Sequence, residues 1–305
     1  MVKKSINSIN MKSILILLVL AVFLVSGQQE CAGGGSGGIG EKQQVSTSAS
    51  TKGIDFSFEK GIEYLSSGKE LRSGDIFYAN LVIENSDERS KNGEICIRDD
   101  IDDIYGGISS ECVPFQVKAA VYEGDKLLET GRTNVLFGSY IYEDFPIDQS
   151  VTAYFTLKYI DQSRMETVVP VPEPETERLS VVKKPSPLDL TVEKRVSLKS
   201  SGYGVDLTMQ VRKESGIKIT TQDSSREGVV LIPQLSGADV ICDYTDPSTK
   251  FLEFKERSST SIIKCQALLP KEENINYPLL IDLSYGVELE KKLTFKLEKE
   301  EKSLV

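Results

Sequence analysis

The amino-acid sequence predicts an all-β protein with two antiparallel β-sandwich domains in tandem. After residue 53, apolar residues recur at every second position, which is the period of a half-buried strand. Clusters of Gly, Asn, Asp, Ser and Pro separate these runs, and no sustained helical stripe interrupts them. Short strands at this spacing favour antiparallel sandwiches. We place the first domain at 53–170 and the second at 188–298.

The first predicted domain carries three strand patterns. Turn residues at 85–87 and 123–126 end the first two, and the third resumes after Asp161-Gln162-Ser163. The alternating apolar positions are Phe77, Ala79, Leu81 and Ile83, then Phe115, Val117, Ala119 and Val121, then Val151, Ala153, Phe155, Leu157 and Tyr159.

A proline-rich stretch follows the first domain. Pro170, Pro172 and Pro174 alternate with Val and Glu, and Pro185 and Pro187 precede the next strand pattern. Because proline lacks a backbone N–H and stiffens the chain, we predict a semi-rigid connector at 171–187.

The second predicted domain repeats the strand patterns of the first. Ser200-Ser201-Gly202-Tyr203-Gly204 is typical of a hairpin turn, with a binding loop as the alternative. The alternating apolar positions are Val205, Leu207, Met209 and Val211, then Ile263, Cys265, Ala267 and Leu269, then Leu279, Ile281, Leu283 and Tyr285, then Leu293, Phe295 and Leu297. The charged tail at 299–305 is expected to fray in water.

The N-terminus predicts export. Three lysines and no acid precede the unbroken apolar run Ile14–Val25, whose length suits a signal-peptide core. We interpret residues 1–27 as a signal peptide or membrane anchor, with small residues at Ser26-Gly27 for cleavage. Residues 28–52 are rich in Gly, Ser, Thr and Gln, which predicts a flexible tether.

Cys31 stands alone ahead of a Gly-rich run. Its position resembles that of the lipid-bearing cysteine of surface lipoproteins, so it is a candidate lipid anchor. The usual small and apolar residues before such a cysteine are replaced by Gln28-Gln29-Glu30. An intermolecular disulfide, a free thiol and an uncleaved leader acting as the anchor remain open.

Composition excludes several functions. The formal net charge is −10, which disfavours contact with phosphate backbones, so we expect no nucleic-acid partner. The chain has no histidine, which rules out Ser-His-Asp and Cys-His nucleophile systems and histidine-bound zinc. We therefore expect a protein that is not an enzyme and has no cofactor.

Four cysteines fall two to each predicted domain. Cys96 with Cys112 and Cys242 with Cys265 is the simplest of the three possible pairings. Closing a loop of about 16 residues stabilises the fold by about 3 kcal/mol in the chain-entropy model. Such bridges need an oxidising compartment, which agrees with export.

Two clusters are candidate binding sites. Asp99, Asp100, Asp102 and Asp103 lie inside the Cys96–Cys112 loop and could supply oxygen ligands for Ca²⁺; a solvated acidic loop is the alternative. The aromatic run at 137–142 could contact a partner, or it could fill the core of a strand.

Three segments carry a resemblance to a known family: Lys52-Gly53-Ile54-Asp55-Phe56-Ser57-Phe58, Ser73-Gly74-Asp75-Ile76-Phe77 leading to Leu81–Asn85, and Tyr277–Gly286. In these segments the chain resembles the immunoglobulin-like domains of prokaryotic, particularly archaeal, surface proteins. The resemblance covers most of 53–298. The chain departs from antibody-type domains because it has no tryptophan and its cysteines are too close for an inter-sheet bridge. The resemblance implies adhesion, envelope structure or filament association, without catalytic residues.

Together these observations predict a tethered surface protein that binds or assembles rather than catalyses. Its expected partners are a protein or envelope polymer at the extracellular face of the membrane, with the membrane itself contacted through the N-terminal segment. Strand addition at a sheet edge and contact with the loops at a sandwich end are both possible. The alternative is a solute- or carbohydrate-binding lipoprotein, or an accessory hydrolase that uses carboxylates.

Overall fold

The computed structural model describes residues 53–59, 71–101, 105–124, 126–143, 145–171, 176–181, 186–255, 258–271 and 275–299. All of them belong to one compact unit, Gln43–Val305. The predicted leader, Cys31, the tether up to residue 52 and the tail beyond residue 299 lie outside the described residues. Within the described ranges, no helix is long and apolar enough to cross a membrane.

The fold is all-β, as predicted, and its strands form several antiparallel sheets. The strands are β1 (Ile54–Phe58), β2 (Leu71–Arg72), β3 (Ile76–Asn85), β4 (Lys91–Arg98), β5 (Glu111–Val117), β6 (Val121–Glu123), β7 (Lys126–Glu129), β8 (Gly131–Ile141), β9 (Gln149–Val171), β10 (Glu177–Leu179), β11 (Leu188–Lys199), β12 (Gly202–Lys213), β13 (Ile217–Thr220), β14 (Gly228–Leu235), β15 (Val240–Cys242), β16 (Phe251–Glu253), β17 (Thr260–Leu269) and β18 (Ile275–Glu298).

Three sheets and one hairpin contain these strands. The longest sheet has the order β16-β14-β18-β9-β4-β5, and β13 and β2 also pair with β18. A three-stranded sheet has the order β1-β3-β8, and a five-stranded sheet has the order β10-β11-β12-β17-β15. Strands β6 and β7 form a separate hairpin.

Strand β9 comes from the first predicted domain and β18 from the second, and the two strands pair along their whole length. They pair antiparallel from Gln149 opposite Leu297 to Val171 opposite Ile275. A strand of 23 residues is about 75 Å long at about 3.3 Å per residue. The structure therefore differs from two separate domains: a strand from each side of the connector at 171–187 joins one continuous sheet. Alternation identified both strands, but it carries no information about which distant strand each one pairs with.

One face of the long sheet is buried along its whole length. Odd-numbered residues of β9 are buried from Val151 to Val171, and those of β18 follow the same parity. The three-stranded sheet covers one half of this face, where the Phe58 ring lies 4.8 Å from the Phe155 ring. The five-stranded sheet covers the other half. The result is two sandwiches side by side, with the even-numbered residues on the open face.

The five-stranded sheet meets the long sheet through polar as well as apolar contacts. Thr167 Oγ1 donates to the carbonyl oxygen of Ser180 at 2.8 Å, which ties β9 to the segment that leads away from β10. Lys194 of β11 is fully buried, and its Nζ donates to the carbonyl oxygen of Pro170 at 2.9 Å. These bonds position β9 against the covering sheet.

Both predicted disulfides are present. Cys96 lies opposite Cys112 in the β4–β5 register, and Cys242 lies opposite Cys265 in the β15–β17 register. Each bridge lies within one sheet, as the short cysteine spacing indicated. Strands β5 and β15 are the terminal strands of their sheets, so each disulfide fastens an edge strand to its neighbour.

Two further predictions are decided by local structure. Ser200 and Ser201 form a two-residue hairpin connection between β11 and β12, because Lys199 lies opposite Gly202. In the aromatic run, Phe137, Tyr140 and Tyr142 are buried, which places their rings in the core.

Candidate functional site

The outer edge of β9 is covered along only part of its length. Strand β4 pairs with β9 from Tyr154 to Tyr159. Beyond Tyr159, the described part of the chain pairs β9 with β18 alone. Among the residues that the structure describes, the second half of β9 is therefore a terminal strand of the long sheet.

Pro278 shows which backbone groups of β9 face this open edge. Pro278 of β18 lies opposite Val168 of β9, and its carbonyl oxygen accepts a bond from Ser236 N at 2.9 Å on the far side. In an antiparallel pair, opposite residues either exchange both backbone bonds or direct both away from each other. The N–H and C=O of Val168 therefore point to the open edge. The N–H and C=O of every second residue along this half of β9 likewise point to the open edge.

The two ends of the open edge are closed by side chains. At one end, Arg89 Nη1 donates to the carbonyl oxygen of Gln162, and Asp161 accepts from Gln162 N at 2.7 Å. At the other end, Pro170 has no N–H, and Lys194 already binds its carbonyl oxygen. Three residues remain between these ends: Arg164, Glu166 and Val168. Their N–H and C=O groups face outward without a partner from the described residues.

A cleft of about 640 Å³ adjoins the open edge on the exposed face of the long sheet. Arg164 donates to both carboxylate oxygens of Asp282 across the cleft, at 2.7 and 3.1 Å. The ten lining residues are Arg89, Gln162, Ser163, Arg164, Glu166, Val230, Ile232, Asp282, Leu283 and Ser284. Aliphatic side chains and an ion pair therefore lie together beside the outward-facing backbone groups of β9.

A buried ion cluster lies behind one end of the edge. Lys91 Nζ contacts Asp87 Oδ2 at 2.7 Å and also contacts Asp161 Oδ1. Arg89 Nη2 contacts the same two carboxylates at 2.9 and 3.2 Å. Asp87 and Asp161 are almost completely buried, and so is Lys91. Two cations and two anions give a neutral cluster, which is the condition for burying charges.

Hydroxyl groups connect this cluster to the second sandwich. Tyr285 OH donates to Asp161 Oδ2 at 3.1 Å and lies 2.8 Å from Ser186 Oγ, which accepts from Leu188 N. Burial and the charge of Asp161 raise the pKa of Tyr285. The phenol is thus a permanent donor at neutral pH, and it links β18 to the start of β11.

Acid should weaken the cluster. Burial by itself would raise the pKa of Asp87, but the bonds from Arg89 and Lys91 outweigh burial and hold it below its usual value. A carboxyl with a lowered folded-state pKa stabilises the fold above its unfolded-state pKa and loses that contribution as pH falls through the folded-state value. We expect the stability of the wild type to fall below about pH 4. In Asp87→Asn, denaturant midpoints measured against pH should fall less steeply; an unchanged slope would contradict this.

The predicted calcium residues have protein partners. Asp99 accepts from Tyr142 OH and from Ile108 N, and Asp100 accepts from Thr152 N at 2.8 Å. Asp102 and Asp103 lie outside the described residues. In the described part, Asp99 therefore ties its loop to Tyr142, just after β8, and Asp100 ties it to β9. Calcium binding stays a prediction.

A second cluster of side chains, of the types that bind metals, cannot hold a metal ion. Glu94 lies close to Cys96 and Cys112, but their sulfurs are joined in the disulfide and offer no thiolate.

Sequence reasoning expected strand addition at a sheet edge but did not locate the edge, and it missed the ion cluster. A signal was present: Asp161 and Ser163 occupy odd positions and continue the stripe that runs from Val151 to Val169. Because the stripe of odd-numbered positions continues across these two polar residues, the pattern indicates one long strand with a buried charge rather than two strands and a turn.

Amide hydrogen exchange should alternate along the second half of β9. Arg164, Glu166 and Val168 should exchange at least about 100-fold faster than Met165 and its odd-numbered neighbours, whose N–H groups bond to β18. Residue-resolved NMR of the folded protein measures this. Equal protection at odd and even positions from 163 to 169 would show that the edge is closed.

No protein-family model matches this chain, and no curated protein matches its sequence significantly.

Proposed function

We propose that this protein is exported and acts at the cell surface as a membrane-tethered binding or structural component, without catalysis. The predicted leader and tether, together with two disulfides that suit an oxidising compartment, support export. The resemblance to immunoglobulin-like surface domains agrees with a role in adhesion, envelope structure or filament association.

The observation that carries the proposal is the open edge at Arg164, Glu166 and Val168 beside the cleft. An extended segment that adds to a sheet edge gains main-chain hydrogen bonds, and neighbouring pockets select its side chains. The edge is short because side chains close both ends, and a short edge limits uncontrolled strand pairing. Controlled strand addition is the recognition mode that this geometry favours.

The composition of the cleft favours binding over hydrolysis. Acid–base catalysis needs a carboxyl that can exchange protons near neutral pH. Here Asp282 is bound at both oxygens by Arg164, and Glu166 is exposed to water. The ten described lining residues include no aromatic ring on which a sugar could stack. These features favour the binding role over the carbohydrate-binding or hydrolytic alternative.

The test uses the full chain in cells that export it. External protease should cleave it in intact cells, and washed envelopes should slow amide exchange at Arg164, Glu166 and Val168 in the purified protein. Glu166→Pro removes one outward N–H and should lose at least about tenfold in envelope binding. Glu290→Gln is the control. Glu290 lies on the same face of the sheet, beside the part of β9 that β4 covers, and this variant should bind envelopes as the wild type does.

Two results would contradict the proposal. One is a chain that stays protected from protease in intact cells and keeps its cysteines reduced. The other is turnover of an envelope polymer that a single carboxylate substitution abolishes while the protein stays folded.

A further inference from the structure

We propose that the open edge of β9 receives the free C-terminal end of an extended partner chain, which lies antiparallel to β9 and places its terminal carboxylate against Arg89. This inference rests on the proposed function, because it names the kind of segment that the edge takes. Its support is the way in which the two ends of the edge are closed, together with the charge at one of them.

A strand added to the edge cannot continue past Gln162. Strand β4 already pairs with β9 as far as Tyr159, and Lys91 at its start contacts Asp161. Arg89 comes just before β4, and its Nη1 donates to the outward carbonyl oxygen of Gln162. The added segment must therefore end, or turn away, before it reaches Gln162.

The opposite end of the edge leaves an exit. There the side chain of Lys194 binds the carbonyl oxygen of Pro170, and β9 ends one residue later at Val171. Val168 is half exposed on the open face of the sheet. A chain that pairs with Val168 can therefore leave the sheet on this face, whereas at Gln162 a whole strand stands in line with it.

These ends favour one direction for the added chain. An antiparallel partner enters opposite Val168, and its C-terminus then lies opposite Arg164. A parallel partner would place its N-terminal ammonium group beside the Arg89 guanidinium, where like charges repel each other. Antiparallel pairing is also the more stable arrangement per residue. The edge therefore favours a C-terminus over an N-terminus.

The terminal carboxylate completes the contact. When the last residue lies opposite Arg164, its N–H donates to the Arg164 carbonyl oxygen, and one carboxylate oxygen accepts from the Arg164 N–H. The second oxygen takes the place of the next amide nitrogen. Arg89 Nη1 stands where the amide nitrogen after that would bind Gln162. Successive residues of a strand are about 3.4 Å apart, so the second oxygen lies within ion-pair distance of Nη1.

Arg89 has a donor for this carboxylate. Its Nε and Nη2 contact Asp87, Nη2 also contacts Asp161, and Nη1 contacts Gln162. Among the described residues, these contacts use four of the five N–H groups of a guanidinium, and the fifth is on Nη1. The Arg89 side chain is 44% exposed, so a ligand can reach it from water.

The edge also selects side chains of the tail. With the last residue opposite Arg164, the third residue from the end lies opposite Glu166, and the fifth lies opposite Val168. Glu166 is exposed, and Val168 is apolar. Because opposite charges and apolar pairs across antiparallel strands are favourable, the preferred tail has Lys or Arg third from its end and an apolar residue fifth.

The first experiment titrates the full chain in mild detergent with fluorescent peptides and measures anisotropy. The probe is Gly-Ser-Val-Thr-Lys-Thr-Thr with a free C-terminus. Two matched probes carry a C-terminal amide or three further residues, Gly-Ser-Gly. We expect the free acid to bind at least tenfold more tightly than either, because the amide lacks the charge and the longer peptide meets Arg89 and β4.

A charge exchange tests the register. Glu in place of Lys in the probe should weaken binding to the wild type at least fivefold. Glu166→Lys should reverse this preference and bind the Glu probe more tightly than the Lys probe. Glu290→Lys, beside the part of β9 that β4 covers, should keep the preference of the wild type. Circular dichroism checks that both variants are folded.

The second experiment examines the natural partner. Washed envelopes treated with carboxypeptidase should lose at least tenfold in binding to the full chain, because the enzyme removes C-terminal residues. Envelopes treated with aminopeptidase should bind as untreated envelopes do.

The outcomes separate this inference from the proposed function. Equal affinity of the acid, amide and extended probes would overturn it, and so would envelope binding that survives carboxypeptidase. If envelopes still slow amide exchange at Arg164, Glu166 and Val168 in either case, the edge takes an internal segment and the proposed function stands. If neither peptides nor envelopes slow exchange at these amides, the inference fails together with the role of the edge in the proposed function.

Discussion

Replacing Lys91 by methionine is expected to lower the free energy of unfolding by about 3–5 kcal/mol, the usual cost of removing one member of a buried ion pair. The substitution keeps most of the side-chain volume but removes a cation that contacts both Asp87 and Asp161. Among the described residues, Arg89 is then the one cation that contacts the two buried carboxylates, and one negative charge stays uncompensated. Urea unfolding with the disulfides intact measures the change.

A second substitution identifies the cause. Lys91→Met combined with Asp161→Leu leaves Asp87 paired with Arg89 and should recover much of the lost stability, since apolar replacement of a whole buried pair is often neutral. Asp282→Asn breaks the exposed pair with Arg164 and should cost no more than about 1 kcal/mol. If Lys91→Met also costs less than 1 kcal/mol, the cluster is not the buried network described above.

Gly93→Ala is expected to destabilise the protein by about 3 kcal/mol or more, at the upper end of overpacking effects. A β-carbon at Gly93 would lie 2.2 Å from the carbonyl oxygen of Lys158 and 2.8 Å from the ring of Phe115. The first obstacle is backbone within the β4–β9 pair, so the strands would have to separate. Removing that pairing also disturbs the strand that carries the Cys96–Cys112 bridge.

The neighbouring residue supplies the control for Gly93. Asn92 is exposed on the same strand, and Asn92→Ala should change stability by no more than about 0.5 kcal/mol. Thermal unfolding of both variants is the measurement. Equal melting temperatures for the two would mean that β4 can move away from β9 at little cost.

The sequence predicted local features well. Alternation in β9 and β18 identified the strands and most of their buried residues, because burial on one face imposes a period of two. The cysteine pairs were also predicted correctly. In each case the relevant residues are close along the chain, so their pattern is visible without knowledge of the pairing.

The candidate site depends on distant residues and was not predicted. Whether the second half of β9 is an edge is decided by where β4 stops, at Tyr159, and by the choice of β18 as the other neighbour. The role of Lys91 depends on Asp161, 70 residues away. Gly93 is needed because a backbone and a ring approach it from two other strands. None of these contacts produces a periodic pattern in the amino-acid sequence.

The ladder between β9 and β18 also has a mechanical consequence. Two domains on a linker reorient freely, because only a few backbone dihedrals resist the motion. Here, bending one sandwich against the other would have to distort two paired strands and break ladder bonds that are shared by both. A ligand seated on either sandwich is therefore held at a fixed angle to the other, and a pull on one end is transmitted along the strands to the far end.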